Sequence, residues 1–200
     1  MSKETEEVKK IGRVKAEKIS DLVYKFAGSS NCYLIEIDEY IMIDCGHERD
    51  KEDLKKAIEE IVPVEKVDKV IFTHLHYDHA GNFELFSNAR FFASKGAIES
   101  LQWDAYKTVL EKNIAEKLQK FEINPVESNE RLKVIETPGH TKGSICLYLP
   151  EEKILFSGDT VFHKAYGRID LPTSNPVEMK KSLEKIGELD FEKLCPGHEI

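Results

Sequence analysis

The stretch Lys69-Val70-Ile71-Phe72-Thr73-His74-Leu75-His76-Tyr77-Asp78-His79 decides how this chain is read. Its first five residues are a short apolar run, the pattern of a buried strand. That strand runs directly into a polar cluster. In extended chain, side chains two residues apart point the same way. His74 and His76 are therefore placed to grip one ion. Asp78 and His79 fall where the chain turns into a following helix, and can serve a neighbouring ion. Imidazole and carboxylate are ligands for zinc, and also for iron or manganese. A solvent-exposed polar turn has no need of three histidines and an aspartate at this spacing.

Outward from this point, strands and helices alternate. Residues 22–26, 31–37 and 40–44 read as strands, the last two joined as a hairpin by Asp38-Glu39. Residues 51–61 read as an amphipathic helix with Leu54, Ala57, Ile58 and Ile61 on one face, ended by Pro63. Residues 89–93 form another strand. Residues 94–120 are helical, with Ala97, Ile98, Leu101, Val109, Leu110, Ile114 and Leu118 inward, and Asn124-Pro125 breaks the segment. Residues 132–136 form a strand that ends at Thr137-Pro138-Gly139-His140. Residues 144–149 and 153–157 pair around Pro150-Glu151-Glu152. Pro176 opens a helix running to about Gly187, and residues 191–194 make the last strand. No linker or low-complexity tract interrupts this order. The expectation is one domain, 21–200, behind a charged lead-in, 1–20, that is frayed or a first edge strand.

Composition narrows the function classes. The 200 residues carry a formal net charge of -8, which argues against a nucleic-acid backbone as the main partner. The same charge argues against an anionic membrane surface. No apolar run approaches the ~20 residues of a membrane span. The first residues, Met1-Ser2-Lys3-Glu4-Thr5-Glu6-Glu7, lack the apolar core of a signal peptide. Cys32, Cys45, Cys146 and Cys195 form no C-x-x-C pair and mostly sit among apolar neighbours, as buried reduced thiols do. These features together predict a cytoplasmic protein.

The rest of the polar constellation comes from far along the chain. His140 and His198 each follow Pro-Gly after a strand. Asp159 stands in Phe156-Ser157-Gly158-Asp159-Thr160, also just past a strand. Each alone is unremarkable. Jointly they place His74, His76, His79, His140 and His198 in strand-end loops beside glycine or aspartate.

This set resembles the metallo-β-lactamase superfamily over nearly the whole chain, from about Asp21 to His198. The landmarks come in family order: Ile43-Asp44-Cys45-Gly46, Thr73 to His79, Gly139-His140, Gly158-Asp159 and Gly197-His198. The resemblance implies an α/β fold, a four-layer αββα sandwich with a metal site at one edge of the sheets. It implies two divalent metal ions, Zn2+ first, with Fe2+ or Mn2+ as alternatives. His74, His76 and His140 would hold one ion, and Asp78, His79 and His198 the other, with Asp159 bridging. Asp44 would orient the site loops without binding metal. His47 and His163 match no ligand position and are expected at the surface.

The stretch Gly167-Arg168-Ile169-Asp170-Leu171-Pro172 looks like the glyoxalase II and persulfide dioxygenase branch. Arg168 and Asp170 are read as a local ion pair shaping the loop. β-Lactamases of the superfamily usually lack the bridging aspartate, so β-lactam hydrolysis is not expected. The chain stops at Ile200, without the helical domain that supplies much of the glutathione pocket in longer glyoxalases. Thioester chemistry therefore carries over better than glutathione does. The expected activity is hydrolysis of a small-molecule thioester by a hydroxide bridging two metals, with Asp78 and Asp159 as the catalytic carboxylates orienting it. The alternative is a persulfide dioxygenase with one iron on His74, His140 and Asp159. Lactone or other ester hydrolysis, and a metal-binding module without catalysis, rank lower. Oligomeric state is left open.

Overall fold

The computed structural model describes residues 14–200. The lead-in before them, residues 1–13, lies outside the described residues. Two sheets form the centre. In the first, β1 (Ala16–Lys18), β2 (Val23–Ala27), β3 (Asn31–Glu36), β4 (Tyr40–Ile43), β5 (Lys69–Ile71), β6 (Arg90–Ala93) and β7 (Asn124–Pro125) lie in sequence order. Antiparallel pairing joins β1 to β4, and parallel pairing joins β4 to β7. The second sheet holds β8 (Lys133–Glu136), β9 (Ile145–Leu149), β10 (Ile154–Gly158) and β11 (Lys193–Pro196) in the order β11-β10-β9-β8. Within it only β10 and β11 run parallel.

The period of two in the apolar strands builds the layers. Successive strand side chains face opposite sides. On β3, Cys32 and Leu34 join the cluster that holds Leu54, Ala57 and Ile58 of α1 (Lys51–Glu59). That cluster also takes Ala97 and Leu101 of α3 (Lys95–Trp103), which follows the one-turn α2 (Tyr77–Ala80). The alternate residues Tyr33 and Ile35 face the second sheet, packing with Ile145, Leu147, Ile154 and Phe156. Cys146 and Leu155 point to the far side of that sheet, where Ile186 packs. The order is therefore helix, sheet, sheet, helix, as the resemblance implied. Burial at roughly 25 cal/mol per Å² of apolar surface drives all three contacts. All four cysteines are buried and unpaired.

Residues 16–18 of the lead-in pair with β2 as an edge strand, one of the two alternatives expected there. Several other elements differ from their sequence reading. Helix α1 stops at Glu59, ahead of Pro63, although Val62 N still donates to Ile58 O at 2.9 Å. The helical stretch 94–120 is three helices: α3, α4 (Ala105–Val109) and α5 (Lys112–Leu118). Asp104 divides the first two, because its Oδ1 caps the start of α4 through Lys107 N at 3.0 Å. Glu111 does the same for α5 through Ile114 N at 2.8 Å. Asn124-Pro125 does not merely break a helix; it pairs with β6. The last strand lies later than 191–194, so it ends on Pro196, against the site. Helix α6 (Pro176–Gly187) starts at Pro176 as read, capped by Asn175.

Candidate metal centre

The functional side chains leave the carboxyl ends of β4, β5, β8, β10 and β11, the edge where open α/β sheets place ligands. The two sheets are tied together there. Ile145 N donates to Thr73 O at 2.9 Å, and Tyr33 Oη donates to Pro196 O at 2.7 Å. His76 starts α2, whose first turn holds Asp78 and His79. The two Pro-Gly-His tripeptides share a steric reason for their glycine. A Cβ on Gly139 would collide with the Met179 backbone, and one on Gly197 would reach Asp159 Oδ1 and come within 2.8 Å of His79 Cε1.

All seven residues expected around the metals converge. His140 Nε2 lies 3.0 Å from His76 Nδ1 and 3.4 Å from Asp159 Oδ2. His79 Nε2 lies 3.3 Å from His198 Nε2 and 3.3 Å from Asp159 Oδ1. His198 Nε2 lies 3.4 Å from Asp78 Oδ2 and 3.5 Å from Asp159 Oδ2. Three groups can each hold an ion: His74, His76 and His140; His74, His79 and Asp159; Asp78, His79 and His198.

The surrounding bonds fix which nitrogens carry lone pairs. His79 Nδ1 lies 2.8 Å from Asp44 Oδ2 and donates to it. Asp44 also accepts from Thr73 N at 2.8 Å and from Thr73 Oγ1 at 2.7 Å. With its hydrogen committed to Asp44, Thr73 Oγ1 accepts from His74 Nδ1 at 3.2 Å. His140 Nδ1 donates to the Arg168 carbonyl at 2.9 Å. The Nε2 lone pairs of His74, His79 and His140 therefore all turn inward. His74 Nε2, His76 Nε2 and Asp159 Oδ1 are buried with no hydrogen-bond partner. Buried polar atoms without partners are costly, and a cation among them would remove that cost. The donor set is N and O, which suits zinc or iron.

The electrostatics repeat the demand for positive charge. Burial, aided by neighbouring histidines, holds His74 well below the usual imidazole range and His76 down at about 3. Burial also lowers His140. For His79 burial pulls the same way, yet Asp159 and Asp44 raise it well above 6.5. For His198 burial is outweighed by Asp159 and Asp78, which lift it to about 9. Burial opposes ionisation of Asp78, but His198 and His79 bring it to about 2. Without an ion, protons on His79 and His198 balance the carboxylates. With an ion, those protons are displaced.

A cavity of about 290 Å³ opens onto Asp78, His140, Asp159 and His198. Its other walls include Tyr77, Leu110, Phe162, Tyr166 and Arg168. A larger cavity of about 680 Å³ borders the same loops at Gly139 and Ser174, but contains none of the clustered histidines. The chemistry belongs to the smaller one. Arg168 pairs with Asp170 through Nε at 2.9 Å and a terminal nitrogen at 2.8 Å, both side chains exposed. His163 is exposed as expected. His47 is not: it is half-buried, accepts from Arg49 N at 2.9 Å and packs edge-on against Tyr77.

Sequence reasoning missed three contributors. Thr73 links Asp44 to His74, and its place directly before the histidines was the available signal. The Arg168 carbonyl and Ser174, whose Oγ donates to His140 O at 2.7 Å, leave no trace in residue type. Asp44→Ala should weaken metal affinity by about 10–100-fold, since His79 loses the partner that orients it. Competition with a chromophoric chelator reads this directly; unchanged affinity would remove Asp44 from the site's support.

The family model described as Metallo-beta-lactamase superfamily matches residues 26–198. The chain is 33% identical over 183 residues to Probable metallo-hydrolase MJ0888 of Methanocaldococcus jannaschii, covering 85% of this chain and 87% of that one. It is 32% identical over 143 residues to the mitochondrial hydroxyacylglutathione hydrolase of Saccharomyces cerevisiae, covering 66% of this chain but 48% of the yeast protein. The crystal structure of TTHA1623 in a di-iron-bound form superposes with a TM-score of 0.69 at 24% identity, covering 94% of this chain and 93% of that one.

Proposed function

The chain belongs to the metallo-beta-lactamase superfamily, and from that premise we propose that it is a binuclear metal-dependent hydrolase of small thioesters. The observation that carries the binuclear reading is the convergence of seven imidazole and carboxylate groups around His74 Nε2, His76 Nε2 and Asp159 Oδ1, which are buried without a hydrogen-bond partner. His74, His76 and His140 would hold one divalent ion, and Asp78, His79 and His198 a second. Asp159 would be shared, since it lies within 3.5 Å of nitrogens from both groups. Zinc is the first choice, with iron or manganese suited to the same donors. The thioester rests on the likeness to the yeast hydroxyacylglutathione hydrolase. That match spans under half of the yeast protein.

When bound, such ions lower the pKa of water to about 7 and polarise a carbonyl. The chain's own residues do the rest. Asp78 and Asp159 remain ionised at neutral pH and accept hydrogen bonds from the attacking water, orienting it. Asp44 and the Arg168 carbonyl hold His79 and His140 in the tautomers that face inward. Phe162, Leu171 and Ile200 give the cavity beside the cluster apolar walls. A thiolate leaves without protonation, so no acid need be supplied. Four buried, unpaired thiols accord with a cytoplasmic location, and no helix among the described residues is long and apolar enough to cross a membrane.

The alternative is a dioxygenase with one iron on His74, His140 and Asp159, in which protons on His79 and His198, rather than a second ion, would balance Asp78. Elemental analysis of protein purified without chelator or added metal tests this. About two ions per chain are expected, with thioester cleavage lost on chelation and restored by zinc. One iron per chain, with oxygen uptake on glutathione persulfide, would overturn it.

A further inference from the structure

Among the described residues, three that are not glycine have a positive φ: Asp44, Leu110 and Lys153. Asp44 is held there by its bonds to Thr73 and His79, and an aspartate tolerates the region. Lys153 sits at the turn between β9 and β10. Leu110 has no such support. At φ 66° and ψ 8° it closes α4, its N–H bonded to Tyr106 O at 2.8 Å. The next residue, Glu111, already caps α5. Such a joint is ordinarily glycine, because a Cβ is strained in the left-handed region.

The leucine is not kept for the core. The sequence pattern places it inward, but it joins none of the three apolar clusters. Its side chain instead lines the cavity beside the metal centre, with Tyr77, Phe162, Tyr166, Leu171 and Ile200. Outside the cluster, the cavity's charged wall is Arg168, already committed to Asp170. Strain that buys no packing marks a site where the side chain has another use.

We propose that Leu110 is a specificity-determining residue: it forms part of an apolar wall for the acyl chain, so that the site favours short aliphatic acyl groups over acetyl. This rests on the thioesterase reading above. No polar side chain other than the tyrosine hydroxyls and Arg168 is available at that wall to reward a polar acyl group.

The test compares acetyl and butanoyl thioesters of N-acetylcysteamine, a carrier too small to add contacts of its own. Metal-loaded wild type should prefer butanoyl in kcat/KM by about fifteenfold, at roughly fourfold per buried methylene. Leu110→Gly and Leu110→Asn both accept the left-handed backbone and should fold with Tm close to wild type. In both, the butanoyl-over-acetyl preference should fall below about threefold. Calorimetric binding of the product acids, acetate and butanoate, should show the same loss of discrimination without turnover. Wild type that cleaves both esters without preference, or variants that keep the full preference, overturns the role of Leu110 and leaves the hydrolase standing. Wild type that cleaves neither ester overturns the thioesterase reading and this inference with it.

Discussion

Asp159→Asn is expected to cut thioester turnover by about a thousandfold or more, the scale of removing a group aimed at the reacting charge. Metal content should fall from about two ions per chain towards one. The amide keeps the shape of the carboxylate but not its charge. It would leave His79 and His198 without the anion that both face at 3.3 and 3.5 Å. It would also present an N–H to nitrogens that need a cation. The fold should survive, because the backbone here is held independently. Thr160 N donates to Ser157 O at 3.0 Å, and Gly197 N to Gly158 O at 2.8 Å. Circular dichroism and elemental analysis separate the two effects. Full metal content with turnover near wild type would show that Asp159 does not serve both groups.

Much of this arrangement is legible in the residues, for a physical reason. Residues 31–37, 40–44 and 144–149 are buried on both faces, so they read as continuous apolar runs that announce a strand without saying which residue faces which layer. The His74 to His79 run is local, and extended geometry alone pairs His74 with His76. His140, Asp159 and His198 are legible only through the glycines beside them, and Gly197 shows why: any side chain there would strike Asp159. What escapes is whatever depends on backbone or on a residue with two uses. Asp104 reads as one more polar residue in a helical run, yet it ends α3 and caps α4. Leu110 fits a helical apolar face, and nothing in its type announces a left-handed turn. The Arg168 side chain draws the eye, while its carbonyl is what orients His140. Edge strands as short as β1 and β7 carry too few residues for a period to appear.

Chelation should destabilise the protein, and the loss should grow as pH rises from 6.5 to about 9. Ions at a thousand times their Kd contribute about 4 kcal/mol. At ~2–4 °C per kcal/mol for a chain of this size, Tm should fall on the order of 10 °C. The pH dependence follows from the metal-free cluster. Burial works against a proton on His198, but Asp159 and Asp78 lift its pKa to about 9, against about 6.5 in the unfolded chain. A group raised on folding adds stability that is fully present below the unfolded pKa and is lost as pH climbs through the folded one. His79 is raised too, so its contribution has the same sign. His74, His76 and His140 are lowered; their slope has the opposite sign, is confined to the foot of the window where unfolded imidazole still titrates, and is the same with and without metal, so it leaves the gap unchanged. Asp78 and Asp159 are ionised throughout this window. The chelated protein therefore loses its balancing protons across pH 6.5–9, while the metal-loaded protein keeps its balancing cations. Melting curves at three pH values with and without chelator decide the matter. A gap that narrows with pH would mean that His79 and His198 do not carry the compensating charge, and no gap at all would mean that the inward-facing cluster holds no metal.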